Sequence, residues 1–193
     1  MNAGDACKKA GITNTMNDYK NAAQAYKTAG DENSKKPGKT YASIGTCYRR
    51  AGDAYTAAGD DEENKNAAKN AYTNAATNYK KGGDSYKENK EYGNAGDDYV
   101  KAGNAYKAAG NDTNAKTAYN KATESYKMAG NIEKEKRNYN SAGDSYMKAG
   151  DVYIRIDDKA KAKSLYKKAI FMYILMQNNN KIEKLFKKLE ELK

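Results

Sequence analysis

All eighteen tyrosines of the chain fall into sets spaced by seven residues: 19/26, 41/48/55, 72/79/86, 92/99/106, 119/126, 139/146/153 and 166/173. Seven residues of an α-helix make two turns less about 20°, so each set marks one stripe along one helix. Seven sets predict seven tyrosine-bearing helices.

A second pattern makes the helices a repeat. Ala-Gly-[Asp/Asn]-x-[Tyr/Cys] occurs at Ala3–Cys7, Ala51–Tyr55, Ala95–Tyr99, Ala102–Tyr106, Ala142–Tyr146 and Ala149–Tyr153. Self-similarity this dense is a solenoid signature. Tyr26, Tyr79, Tyr126 and Tyr173 recur at intervals of 53, 47 and 47 residues, and Tyr55, Tyr106 and Tyr153 at 51 and 47. Two alternating helix types with a period near 47 define a helical hairpin repeat. It is longer than the tetratricopeptide unit of about 34 residues. A helices are expected near 15–29, 63–82, 114–129 and 158–177, and B helices near 39–58, 87–109, 134–156 and 180–192. Residues 3–10 read as the tail of a further, partial helix. The expected fold is all-α, a right-handed tetratricopeptide-like α-solenoid of about nine helices in a single domain over residues 1–193: a partial repeat 1–11, hairpins 12–60, 61–111 and 112–157, and a capping hairpin 158–193.

Two glycine series accompany the tyrosines. Tyr-x-x-x-Gly-[Asp/Asn] places Gly30, Gly59, Gly83, Gly110 and Gly130 where a left-handed residue ends a helix, with the following Asp or Asn starting the next turn or capping the next helix. Gly45, Gly52, Gly96, Gly103, Gly143 and Gly150 instead fall inside B helices, where each costs about 1 kcal/mol relative to alanine. A repeated cost implies a repeated benefit: a missing Cβ lets a large side chain approach, and an A-helix tyrosine is expected over each of these glycines. The ring would supply buried area while the hydroxyl reaches water at the edge of a thin layer.

The core must be shallow, because the chain has no tryptophan, two phenylalanines and no leucine before Leu165. Conventional amphipathic helices occur only at the C-terminal end, where Leu165, Ile170, Phe171, Ile174, Leu175 and Met176 precede Ile182, Leu185, Phe186, Leu189 and Leu192. They read either as a cap closing the repeat core or as a docking face. Cys7 and Cys47 form no framework or metal motif and fit a reducing compartment, Cys7 as a small core residue where later repeats carry tyrosine. The sequence around Met1 has no apolar or basic leader. The longest apolar run, Ala169–Met176, is far short of the roughly 20 residues of a membrane span. A cytoplasmic chain without a transmembrane segment, peripheral to membranes at most, is expected.

With no histidine, the commonest proton shuttle near neutral pH is missing, and neither cysteine has a nucleophile setting. No phosphate loop, dinucleotide fingerprint or metal-ligand spacing is present, and no cofactor is expected. Asp60-Asp61-Glu62-Glu63 lacks the alternation of a calcium loop and reads as an acidic helix start. A non-enzyme follows. The net charge of +10 is carried almost wholly by lysine, since only Arg49, Arg50, Arg137 and Arg155 are arginines. Base and phosphate reading favours the planar guanidinium, so an acidic protein partner is expected rather than specific nucleic acid, with nonspecific nucleic-acid binding and a generic scaffold as alternatives. Lys39, Lys90 and Arg137 stand six residues before the first interior glycine of successive B helices. Lys27, Lys80 and Lys127 follow the last A-helix tyrosine. The two columns read as basic ladders for an extended acidic partner or as a solvated face.

Long helical hairpins with Ala-Gly-[Asp/Asn]-x-aromatic motifs resemble the soluble NSF attachment proteins, adaptors that coat SNARE bundles so that a hexameric ATPase can pull them apart. The resemblance covers about Ala3 to Tyr173. It implies a protein-binding adaptor engaging an acidic, helical SNARE-like bundle in vesicle transport, with Lys39, Lys90 and Arg137 at the positions where the family touches that bundle. An ATPase of the NSF type is the second partner it implies. The family's penultimate leucine corresponds to Leu192 in Glu190-Glu191-Leu192-Lys193, a residue that also shares a helical face with Leu189. The chain departs from the family in having Phe171 as its first phenylalanine and one hairpin where the family has a larger C-terminal bundle.

Overall fold

The computed structural model describes residues 16–34 and 40–192, and every regular element among them is an α-helix. They are α1 (Met16–Ser34), α2 (Tyr41–Ala58), α3 (Glu62–Glu88), α4 (Tyr92–Ala108), α5 (Asp112–Glu135), α6 (Tyr139–Arg155), α7 (Lys159–Leu175) and α8 (Asn179–Glu190). The alternation of two helix types is as the tyrosine spacing predicts, and the fold is an all-α helical repeat of the α-solenoid class. The partial helix over 3–10, with Cys7, lies outside the described residues.

The helix ends differ from expectation. α1, α3 and α5 do not stop at Gly30, Gly83 and Gly130 but run on to Ser34, Glu88 and Glu135, so the next B helices begin at Tyr41, Tyr92 and Tyr139. Gly59 (φ 134°) and Gly110 (φ 72°) do end their helices, whereas the other described turns use Lys90, Arg137, Asp157 and Gln177 at φ between 53° and 61°. At Lys90 the amide bonds back to the Lys87 carbonyl (3.0 Å) and the Glu91 amide to that of Tyr86 (2.9 Å). This paired geometry recovers two orphan carbonyls of the helix end. It recurs at Gly110, Arg137, Asp157 and Gln177, so the turn geometry persists with or without glycine. The residue after the left-handed position then opens the next helix: Asn111 and Asp158 accept from the amides of Asn114 (3.1 Å) and Lys161 (3.0 Å). Asp61 likewise accepts from the Asn64 amide at 2.9 Å, and Glu62 and Glu63 occupy the first turn of α3, as the acidic start predicts.

The chain forms two compact units, Met1–Gly82 with Lys101–Ala115, and Gly83–Val100 with Lys116–Lys193. In the first, α1 packs on α2 through Ala22, Ala23, Tyr26 and Ala29 against Cys47, Ala51 and Ala54, joined by Ala71. Cys47 is 1 % exposed and disulfide-bonded, which departs from the expectation of cysteines suited to a reducing compartment. In the second, α6 packs on α7 and α7 on α8. Ala142, Ala149, Ala162 and Ala169 are fully buried there, the small residues that let helix axes approach closely.

The C-terminal hairpin divides its bulky residues between both readings. Leu165, Ile170 and Leu185 are buried, whereas Phe171, Ile174, Leu175, Met176 and Phe186 are about half exposed. No helix among the described residues is long and apolar enough to cross a membrane.

Candidate functional site

Five of the six B-helix glycines singled out from sequence are each half of a clasp. A Cβ built on Gly45, Gly52, Gly96, Gly143 or Gly150 would lie 2.5–2.9 Å from the ring of Tyr79, Tyr72, Tyr126, Tyr173 or Tyr166, closer than carbon atoms approach. In all five pairs the glycine is on a B helix and the ring on the A helix that follows, the complementarity expected from sequence. Gly30, Gly83 and Gly130 do the same work in the opposite sense, receiving Tyr48, Tyr99 and Tyr146 from the following B helix. That contact, not a C-cap, is why glycine stands there, and the helix continues through it.

The residue after the glycine takes the tyrosine hydroxyl. Tyr48 donates to Asp31 (2.6 Å), Tyr99 to Asp84 (2.7 Å), Tyr126 to Asp97 (2.5 Å), Tyr166 to Asp151 (2.6 Å), Tyr173 to Asp144 (2.7 Å) and Tyr146 to Asn131 (2.7 Å). Asp31, Asp84 and Asn131 are therefore hydroxyl acceptors within helices rather than turn starters. Burial, then the hydrogen bond to the carboxylate, pushes the phenols of Tyr48, Tyr99, Tyr126, Tyr166 and Tyr173 well above their ordinary range. An ionised phenol would be poorly solvated and would face an anion.

A lysine from the third helix completes four clasps. Lys121 on α5 reaches Asp84 (3.0 Å) over the Tyr99 ring, Lys148 on α6 reaches Asp97 (2.9 Å) over Tyr126, and Lys181 on α8 reaches Asp144 (2.5 Å) over Tyr173. Lys188 pairs with Asp151 over Tyr166. These ammonium groups stand 5.2–5.4 Å from the ring centroids, within cation–π range. Each clasp thus ties three consecutive helices: glycine and aspartate on the first, tyrosine on the second, lysine on the third. The sequence signal for three of these four lysines is a separation of 37 residues from aspartate at 84/121, 144/181 and 151/188, against 51 at 97/148, and it is concealed by the abundance of lysine.

One clasp departs from the rule. Tyr79 lies over Gly45 and Lys101 stands above the ring at 5.7 Å, but the residue after the glycine is Thr46. Its hydroxyl donates to the Ala42 carbonyl (2.8 Å) and lies 3.0 Å from the Tyr79 hydroxyl. A cavity of about 550 Å³ opens here, lined by Thr46, Arg49, Asp53, Tyr79, Lys101 and Asn104 among others. Arg49 and Tyr72 both donate to Asp53, at 2.5 and 3.0 Å.

The residues singled out from sequence fall in several settings. Lys90 and Arg137 occupy the same place, the exposed left-handed position after α3 and after α5; Lys39 lies outside the described residues. Lys27 is drawn into a clasp, pairing at 3.2 Å with the Asp31 that receives Tyr48. Lys80 is half-buried and Lys127 exposed. Leu192 follows α8 and lines a cavity of about 340 Å³ with Asp151, Ile154, Tyr166 and Lys188.

A tetratricopeptide-repeat family profile matches residues 99–127 and 144–170, each stretch joining a B helix to the A helix after it. No curated protein matches the chain. Among solved structures the chain is similar to BtubC (BKLC) from P. vanneervenii, at 13 % identity over 91 % of this chain and 73 % of that one, with a TM-score of 0.43. It is similar also to the DHF58 filament, at 13 % identity over 98 % and 88 % with a TM-score of 0.46. The de novo designed helical repeat protein DHR64 is similar at 14 % identity over 98 % and 92 %, with a TM-score of 0.42. The all-α repeat thus resembles tetratricopeptide repeats over the two matched stretches, 99–127 and 144–170.

Proposed function

We propose that the chain is a protein-binding scaffold whose partner presents an acidic surface. The observation that carries this reading is the tetratricopeptide-repeat match at 99–127 and 144–170. Two surface features support it. The equivalent exposed cations Lys90 and Arg137 recur at the end of successive A helices, and the exposed Phe171, Ile174, Leu175 and Met176 offer apolar area of the kind proteins cover on association. The test is capture of partner proteins by the immobilised chain, repeated with Lys90→Glu and Arg137→Glu combined. Loss of the acidic partners is expected; capture indifferent to the double charge reversal, or replaced by steeply salt-dependent binding to any duplex, would overturn the reading.

The finer form of the proposal is an adaptor for SNARE-like helical bundles, with Lys39, Lys90 and Arg137 as contacts and Leu192 toward an ATPase of the NSF type. The family resemblance of the hairpin motifs supports it. Incubation with assembled SNARE bundles decides the matter: a bundle that does not bind, or binds equally after charge reversal at those three positions, removes this form and leaves the general scaffold.

A further inference from the structure

We infer that the outward face of α7 docks on an anionic lipid surface. The argument is first one of register. With the spacing of 47 residues that relates Tyr79 to Tyr126 and Tyr126 to Tyr173, Phe171, Ile174 and Leu175 take the places of Glu124, Lys127 and Met128 on α5, and one repeat earlier those of Thr77, Lys80 and Lys81 on α3. These places look away from the core. Phe171 is 56 % exposed, Ile174 53 % and Leu175 47 %, and Thr77, Lys81, Glu124 and Lys127 are exposed as well. The earlier helices fill them with polar side chains except at Met128, whereas α7 fills all three with bulky apolar ones that stay half out of the core. Both phenylalanines of the chain, Phe171 and Phe186, are more than half exposed, while Tyr126, Tyr166 and Tyr173 are buried with their hydroxyls bonded. The ring that needs no hydrogen bond is the one turned outward.

Charge selects the cover. Lys159, Lys161, Lys163, Lys167 and Lys168 are the only charged residues of α7. Lys167 and Lys168 are exposed and stand one turn before Phe171, about 5 Å along the helix, so ammonium groups and apolar side chains share one face. Lysine is depleted from the cores of protein–protein interfaces, and two copies pairing through this face would set like charges against each other. At a lipid headgroup layer the two residue types are compatible. The long lysine stems lie along the apolar boundary with their charges among anionic phosphates, and phenylalanine, isoleucine and leucine enter the edge of the acyl region.

This inference goes beyond the protein-binding reading. The intact chain is sedimented with vesicles of phosphatidylcholine alone and of equimolar phosphatidylcholine and phosphatidylserine. Binding to the serine-containing vesicles only is expected. Phe171→Ser combined with Leu175→Ser, both at exposed positions, should weaken it about tenfold, with helix content unchanged by circular dichroism. Lys167→Glu with Lys168→Glu should weaken it by about fivefold for each charge. Lys65→Glu with Lys69→Glu makes the same change of net charge at exposed positions of α3 and should leave binding within about twofold, since attraction to the surface fades within a Debye length. The chain has no tryptophan, so Phe171→Trp reports on the face alone: its emission should move to shorter wavelength with the anionic vesicles, and that of Thr77→Trp, the equivalent place on α3, should not. Absence of vesicle binding, an unmoved Phe171→Trp emission, or equal loss in the α3 pair would overturn the inference, the last assigning binding to the diffuse lysine field. So would a dimer that Phe171→Ser with Leu175→Ser dissociates in light scattering, which would make the face an interface between copies. Each of these failures is separable from failure of the scaffold reading, because capture of acidic partners through Lys90 and Arg137 is measured without lipid.

Discussion

At the scale of single residues, glycine inside a helix is a packing device here. Replacement by alanine normally stabilises a helix by about 1 kcal/mol, but at Gly143 the added methyl would meet the Tyr173 ring at 2.5 Å, and that ring is held by its bond to Asp144. Overpacking of this kind costs about 1–3 kcal/mol, so Gly143→Ala should lower the midpoint of urea unfolding. Gly93 is also within a helix, but nothing lies within 4 Å of the position its Cβ would take. Gly93→Ala should therefore raise the midpoint. The same sign for both variants would show that the rings do not read the missing Cβ. The acceptor can be tested in parallel. Asp97→Asn keeps an oxygen for Tyr126, as Asn131 does for Tyr146, and removes only the partly exposed ion pair with Lys148, costing less than about 1 kcal/mol. Asp97→Ala leaves the buried phenol without its acceptor and should cost about 1–3 kcal/mol.

At the scale of the element, the left-handed turns carry side chains where glycine would be unstrained. A non-glycine residue at that conformation costs about 1–2 kcal/mol, offset in part by the larger entropy glycine loses on folding. Asp157→Gly and Gln177→Gly, at φ 58° and 53°, should each stabilise the chain by roughly 0.5–1 kcal/mol. Gly110→Ala, at φ 72°, should destabilise it, all three read by thermal melting; a stabilised Gly110→Ala would contradict the assigned turn geometry. These turns also explain what sequence could and could not reveal. Helix number, alternation and the glycine–tyrosine pairing on B helices were legible because spacing by seven survives any choice of boundary. The ends of α1, α3 and α5 were not, because Gly30, Gly83 and Gly130 followed by Asp or Asn carry the same letters as a helix stop. Only the ring resting on each glycine separates a packing glycine from a capping one. The lysines of the clasps were hidden for a related reason: they join helices two apart, a relation that no single helical stripe displays.

At the scale of the whole molecule, hydrogen-bonded phenols recur from Tyr48 to Tyr173, and their ionisation couples stability to alkaline pH. Tyr48, Tyr72, Tyr99, Tyr126, Tyr146, Tyr166 and Tyr173 all titrate above their ordinary value in the fold, with burial as the leading cause. In the unfolded chain a tyrosine loses its proton near pH 10. Above that value the folded state binds more protons than the unfolded one, so unfolding becomes progressively easier as pH rises. Below it both states hold the proton, and the contribution is fully present. Because several of these phenols share each compact unit, Tyr48 and Tyr72 in the first and Tyr99, Tyr126, Tyr146, Tyr166 and Tyr173 in the second, losing one clasp exposes its neighbours within that unit. Helix content followed by circular dichroism and tyrosinate formation followed by absorbance should therefore change together, in a transition above pH 10 that is steeper than the titration of a single group. Gradual tyrosinate formation centred near pH 10 with helix content intact would mean that the hydroxyls are open to solvent and that the clasps do not hold the repeats together.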